Sequence, residues 1–463
     1  MKKFLSLFCV LSFFLCGQGA WAASTDDYQV ANIEFIHEYI KQKHKVDVKI
    51  ANPAEKHWAA NVKYMLCAVD VANRILNGFS TTNYCNHTLA TPEAINKVGV
   101  IQAVDGLIKK LCDDGFCVIF DLSTDWPVQK TFSFQISAQG SFTIDWGDGT
   151  VETKNRTGTT LDAYSHSYSA AGTYIVKLTG LATGYNSNNS TAAISFANTL
   201  NKTKMTRIVG SLGRIFPILD NPVAGTFHTP RFVSTFSGSW ISNIPADLFD
   251  GINGPPVDSM FSGTFYNCQF LIGPIPENLF AGIRGAPKNS LFATTFYYCR
   301  RLTGPIPENL FAGIYGAPAG NMFVATFGGC LRLTGKIPGN LFHGPNHFDG
   351  VGISGAPQHS MFRSTFYECT DLTGIGEGLF DGISGVAQSQ MFNWTFDKSS
   401  SLTGPSATSD GQYLYQKWPS TLASGMVPSE GQNCYRGATK LDDYCGGPNN
   451  PTSTPPCIPL EWR

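Results

Sequence analysis

From Thr206 onward the chain repeats a phenylalanine frame, and this frame limits its fold more than any other feature. Six F-x-x-T-F segments align: Phe232–Phe236, Phe261–Phe265, Phe292–Phe296, Phe323–Phe327, Phe362–Phe366 and Phe392–Phe396. The steps between first phenylalanines are 29, 31, 31, 39 and 30 residues, the long one carrying an insertion near Pro345 to Val351. A full unit reads approximately M-F-x-x-T-F-x-x-C-x-x-L-T-G-x-I-P-x-x-L-F-x-G-I-x-G-A-P. A period of this length marks stacked units, none able to shield its apolar face alone. Met260, Phe261, Phe265 and Cys268 fit one face of a short helix. Leu271, Ile275 and Pro276 follow as an extended run, Leu279, Phe280 and Ile283 turn inward, and Gly282, Gly285 and Pro287 close the coil. Each stacked phenylalanine contributes roughly 1.5–3 kcal/mol. A solenoid is expected over 206–426, ended by a degenerate capping repeat over 427–463, as such stacks require.

The remainder is bounded by length, charge and cysteine usage. A chain of 463 residues implies about two to four domains. Charged residues make up 14% and the formal net charge is -1, which leaves no basic stripe for nucleic acid and no polybasic membrane patch. Lys2 and Lys3, the apolar run Phe4 to Cys16 and the small-x-small site Ala20-Trp21-Ala22 read as a signal peptide over 1–22. The rival reading, a lipid anchor on Cys16, is disfavoured by the bulky Phe13 and Leu15 beside it. No later stretch reaches the ~18 apolar residues of a membrane span. The expected destination is therefore exported: extracellular, cell surface or periplasmic. Eleven cysteines follow the leader, a number that leaves one thiol unpaired within a single chain.

Residues 23–117 read as a small α-helical N-terminal region. Ile33, Ile36 and Ile40 keep helical spacing, as do Val62, Met65, Leu66, Val69 and Ala72, and a third segment runs from Pro92 to Leu111. Cys67, Cys85, Cys112 and Cys117 suggest two disulfides with three pairings open; pairing among Cys434, Cys445 and Cys457 also stays open. Residues 118–205 change period. Phe132, Phe134 and Ile136, then Phe142, Ile144 and Trp146, then Tyr174, Val176 and Leu178 alternate with other residues, the mark of half-buried strands. Asp148-Gly149 supplies a tight turn.

Two resemblances follow from these segments. Ile144-Asp-Trp-Gly-Asp-Gly-Thr150, Tyr164-Ser-His-Ser-Tyr168 and Ala171-Gly-Thr-Tyr-Ile-Val-Lys-Leu178 resemble the polycystic-kidney-disease (PKD) domain, which implies an all-β immunoglobulin-like sandwich over 118–205. The MF…TF…C…LTG…IP…LF series resembles the BspA-like, divergent phenylalanine-rich leucine-rich repeats of bacterial surface proteins, although the units are longer and asparagine does not hold the ladder position. Together they imply a bacterial secreted or cell-surface protein in adhesion, with a leucine-rich-repeat-like solenoid recognising protein or glycan. The alternatives are an accessory region of a carbohydrate-active enzyme or a structural envelope component.

No GxSxG, HExxH, Walker loop or dinucleotide fingerprint occurs, so no catalytic residue and no cofactor are assigned. His166 reads as a packing residue. Cys268, Cys299, Cys330 and Cys369 share one repeat position and read as small buried residues rather than a metal ladder. Asp145, Asp148 and Glu152 are the candidates for calcium, but three carboxylates fall short of the six to eight oxygens it takes, and they read as hairpin-shaping groups. The binding candidates are Tyr266, Tyr297, Tyr298, Tyr315 and Tyr367, at variable repeat positions that need not serve the core.

Overall fold

The computed structural model describes residues 109–122, 130–197, 202–342, 352–418, 431–445 and 457–463. The expected signal peptide, most of the expected helical region, Cys67, Cys85 and the insertion near Pro345 lie outside the described residues.

The alternating segments are strands. One antiparallel sheet has the order β4 (Val151–Arg156), β3 (Gln139–Asp145), β6 (Thr173–Gly184), β1 (Phe116–Asp121), β8 (Met205–Gly210). A second has the order β5 (Asp162–Ser167), β2 (Thr131–Ile136), β7 (Ile194–Ser195). Aromatic side chains join the two: Phe120 of β1 stacks on Phe132 of β2 at 4.2 Å, and Trp146 lies 5.8 Å from Phe134. The Tyr168 hydroxyl donates to the Trp146 carbonyl at 2.8 Å, so this buried tyrosine brings its polar tip to a partner. A disulfide joins Cys112 to Cys117 just before and inside β1.

The second sheet leads directly into the repeats. Phe196 stacks on Phe236 at 5.5 Å, and the same row continues through Phe265, Phe296, Phe327, Phe366 and Phe396 to Tyr435 at 5.4–5.8 Å per step. A parallel row runs from Phe232 through Phe261, Phe292, Phe323 and Phe362 to Phe392 at 5.7–6.0 Å per step. A third, from Phe249 through Phe280, Phe311 and Phe342 to Phe380, packs between them. All the ring-bearing positions of these rows are buried, so like sits above like as the repeat requires.

Each F-x-x-T-F segment is a ribbon of turns, not the short helix expected. Along coil 2, counting coils from Phe232, Phe261, Gly263 and Phe265 donate their N–H groups to Leu291, Ala293 and Thr295 of the next coil at 2.8–3.0 Å. The residues between, Ser262, Thr264 and Tyr266, donate three residues back at 2.9–3.2 Å. Ser259, Gly263 and Asn267 have φ of 59°, 62° and 57°. An α-helix would spend its interior N–H groups inside the segment; this ribbon sends alternate ones to its neighbour and so binds the stack together.

The extended I-P run does not become a continuous sheet. Neighbouring coils meet there through isolated parallel bridges such as Gly273↔Leu302 and Gly304↔Leu333. Pro274, Pro276, Pro305 and Pro307 remove donors that a ladder needs. Coils 4 and 5 carry Lys336 and Ile375 after the glycine in place of proline, and there β9 (Gly335–Ile337) and β10 (Leu372–Ile375) do pair in parallel. A two-stranded antiparallel pair, β11 (Thr408–Ser409) and β12 (Gln412–Tyr413), and a four-residue helix, Leu414–Lys417, follow. Trp418 and Trp462 cover Phe392 at the far end.

These observations correct the expected fold class. A helical region, an immunoglobulin-like sandwich and a leucine-rich-repeat-like solenoid were expected in series. The described chain instead consists mainly of β-strands in several small sheets, mostly antiparallel, with very little helix and no closed solenoid. The helical N-terminal region is not shown: of residues 23–117 only 109–117 are described, with residues 109–111 helical and a turn then leading into β1.

Candidate functional site

In coils 2 to 5 the second phenylalanine and the cysteine are buried, and two residues stand between them: Tyr266 and Asn267 in coil 2, Tyr297 and Tyr298 in coil 3, Gly328 and Gly329 in coil 4, and Tyr367 and Glu368 in coil 5. In coil 6 Ser399 takes the cysteine's place, and of the two residues before it Lys398 is exposed and Asp397 buried. The Tyr266 and Tyr297 rings lie 5.7 Å apart, and Tyr297 and Tyr298 lie 4.1 Å apart. Coil 4 gives the tyrosines room. A Cβ on Gly328 would approach the Tyr297 ring to 2.9 Å, and one on Gly329 would overlap the Tyr298 ring. Gly329 also has φ of 73°, the left-handed region where a side chain is disfavoured.

On the other side of that glycine pair, the Tyr367 hydroxyl donates to Glu368 Oε1 at 2.8 Å. Lys398 Nζ donates to the Tyr367 hydroxyl at 2.8 Å and to Glu368 at 2.9 Å, and sits 5.1 Å from the Tyr367 ring centre. Burial raises the Glu368 carboxyl, but the Lys398 and Tyr367 donors outweigh it and the net shift is downward. The same two partners push the Lys398 ammonium up. Burial, then the Tyr298 side chain, raises the Tyr297 hydroxyl. Burial likewise raises that of Tyr367. Both hydroxyls therefore remain donors at neutral pH. The row ends where Arg436 holds the buried Asp397 with two bonds of 3.0 and 2.6 Å.

The structure thus brings Tyr266, Tyr297 and Tyr298 into one cluster and sets Tyr367 on the same row across two glycines. Tyr315 stands apart. It belongs to the G-I-x-G corner, where its N–H donates to the Gly285 carbonyl at 3.2 Å, in register with Arg284 and Ser354. The cations Arg300, Arg363 and Lys398 and the ring of Trp394 were missed by sequence reasoning. A column-by-column alignment of the units would have placed Lys398 in the column of Tyr298 and Arg300 two positions beyond it, with Arg363 and Trp394 three or four positions before the tyrosine columns.

The other candidates are committed to structure. Asp145 Oδ1 accepts the Gly147 N–H at 3.1 Å, Asp148 Oδ1 the Thr150 N–H at 3.0 Å, and Glu152 Oε1 the Trp146 indole at 3.0 Å. Asp148 Oδ2 also pairs with His166 Nε2 at 2.7 Å, and the His166 ring stacks on Trp146 at 5.2 Å. These carboxylates spread outward to separate donors rather than converging. Among the described residues no group of three or more His, Cys, Asp or Glu is placed to hold a metal ion.

The repeated cysteines are buried free thiols that donate to a phenylalanine carbonyl of the preceding coil: Cys268 to Phe236, Cys299 to Phe265, Cys330 to Phe296 and Cys369 to Phe327, at 3.0–3.1 Å. Ser399 does the same to Phe366 at 2.7 Å. Burial pushes the Cys268 thiol up to about 12, which suppresses the reactive thiolate.

No family model, curated protein or solved structure matches the chain. No helix among the described residues is long and apolar enough to cross a membrane.

Proposed function

We propose that this is an exported, non-catalytic binding protein whose stacked repeats present a tyrosine-rich face for protein or glycan recognition in adhesion. The observation that supports the reading is the row of Tyr266, Tyr297, Tyr298 and Tyr367, large aromatic side chains outside the buried core and in contact with one another at Tyr266, Tyr297 and Tyr298. Tyrosine offers large, semi-rigid contact area with a polar tip, the composition favoured in recognition surfaces. The disulfides Cys112–Cys117 and Cys445–Cys457 support an oxidising destination.

The test is retention of labelled full-length protein on immobilised extracellular-matrix proteins, neutral glycans and bacterial envelopes. The expected result is retention on at least one surface, lost in the double variant Y297A/Y367A without loss of the folded state by circular dichroism. No retention on any surface, or retention indifferent to the double variant, would overturn the proposal.

A further inference from the structure

Three cation–ring pairs stand on the tyrosine face, and each contains a residue held at positive φ. The Arg300 guanidinium lies 5.0 Å from the ring of Tyr298, whose φ is 59°. That of Arg363 lies 4.8 Å from the ring of Trp394, whose φ is 57°. Lys398, with φ of 60°, lies 5.1 Å from the ring of Tyr367. The same columns are left-handed in other coils, as at Thr294, Ser364, Asn267 and Glu368, so the conformation belongs to the repeat; what is particular here is that bulky residues, which avoid this region, occupy it. The core does not demand them, because other coils fill the same positions with Gly238, Gly329 and Gly437, or with Gly263. A fourth pair sets Arg301 over Phe270 at 5.8 Å.

The charge on this face is mainly positive, with exposed Asp371 at the position of Arg301 and Arg332 one coil further on. Glu368 is engaged by Lys398 and Asp397 by Arg436. Arg300, Arg301 and Arg332 are exposed, and neither they nor Arg363 forms an ion pair with a described carboxylate. A chain of net charge -1 therefore gathers unpaired guanidinium groups beside flat rings that repeat from coil to coil, 5.7 Å apart at Tyr266 and Tyr297. Rings of this kind stack on the C–H faces of sugars, and guanidinium forks match carboxylate and sulfate geometry. The cations alternate with rings at one or two per coil, a spacing suited to acidic groups carried on successive sugars.

We infer that this face binds an anionic polysaccharide, its sugar rings lying on Tyr297, Tyr298 and Tyr367 and its acidic groups on Arg300, Arg301 and Arg332. The inference rests on the binding reading above and narrows its ligand.

The experiment titrates full-length protein with polygalacturonate, dextran sulfate and neutral dextran by calorimetry. Binding to at least one polyanion and not to dextran is expected, weakening as salt shortens the Debye length from about 10 Å at 0.1 M. Preference for polygalacturonate or dextran sulfate identifies carboxylate or sulfate as the recognised group. The variant R300Q/R301Q/R332Q should bind roughly tenfold more weakly or worse, with its melting temperature unchanged. Tyr298→Gly should also weaken binding while keeping the wild-type melting temperature, which a merely structural tyrosine would not do. Absence of binding to both polyanions, equal binding to dextran, or undiminished binding by the triple arginine variant overturns the inference. If neither polyanion binds while the tyrosine double variant loses a protein or neutral-glycan ligand, only the anionic ligand class fails. If no surface retains the protein at all, the binding reading fails with it.

Discussion

Replacing Phe296 by alanine tests the packing logic of the whole array. Phe296 is fully buried between Phe265 at 5.6 Å and Phe327 at 5.8 Å, with interplanar angles of 5° and 9°. Truncating a buried phenylalanine costs about 3–5 kcal/mol, the larger values arising where the site cannot collapse. Collapse is resisted here. The coils on either side are held at fixed spacing by Phe265 N–H to Thr295 and Phe296 N–H to Thr326, both 2.9 Å. Two offset aromatic contacts are lost as well, each worth about 0.5–1.5 kcal/mol beyond area burial. The upper part of the range, about 4–5 kcal/mol, is therefore expected. Tyr297→Ala is the internal control. Its ring is half-buried and lies against Gly328, so its removal opens a groove to solvent rather than a sealed cavity, and the loss should stay near about 1 kcal/mol. Urea unfolding of the full chain, followed by circular dichroism at matched m-values, gives both numbers. Equal losses, or a Phe296→Ala cost below about 1.5 kcal/mol, would refute the assignment of inward and outward faces.

The thiols of Cys268, Cys299, Cys330, Cys369 and Cys434 should resist alkylation in the folded protein and react in urea, read peptide by peptide by mass spectrometry; rapid native labelling would contradict their burial. At Asp148, burial raises the carboxyl but donors from His166 and Thr150 outweigh it, leaving the folded value below the usual aspartate range. Its contribution is thus complete above the unfolded aspartate pKa, about 3.9, and is lost as pH falls through the lower folded value. Asp148→Asn should flatten the acid limb of the thermal-stability profile, and an unchanged limb would show that the His166 contact does not matter. Calcium should leave the melting temperature unchanged, because Asp145, Asp148 and Glu152 each serve a separate local donor. A bound ion at a hundredfold excess over its dissociation constant would add about 2.7 kcal/mol, so a rise that Asp148→Asn abolishes would reverse this reading.

By itself the sequence determined the repeat frame and the identity of the buried residues. Phe261, Phe265, Cys268, Leu271, Leu279 and Phe280 recur at fixed offsets, and burial of an apolar side chain is a demand each unit makes in the same way. It also marked the alternating strands around Phe132, Phe142 and Tyr174, since a period of two is a local property. Backbone conformation within the unit was not legible. The same inward offsets suit one face of a helix or a ribbon of turns, and the choice between them depends on where the N–H groups of Phe261, Gly263 and Phe265 find acceptors. Those acceptors lie 30 residues away on the next coil. The binding candidates divide in the same manner. Tyr266, Tyr297, Tyr298, Tyr315 and Tyr367 stand at offsets that need not serve the core. Only the tertiary stack separates Tyr315 from the others and brings Arg363 and Lys398 against rings of the neighbouring coil. Such contacts are made largely between coils, through space that no local period describes, and the hydrogen bonds that set the coil spacing decide them.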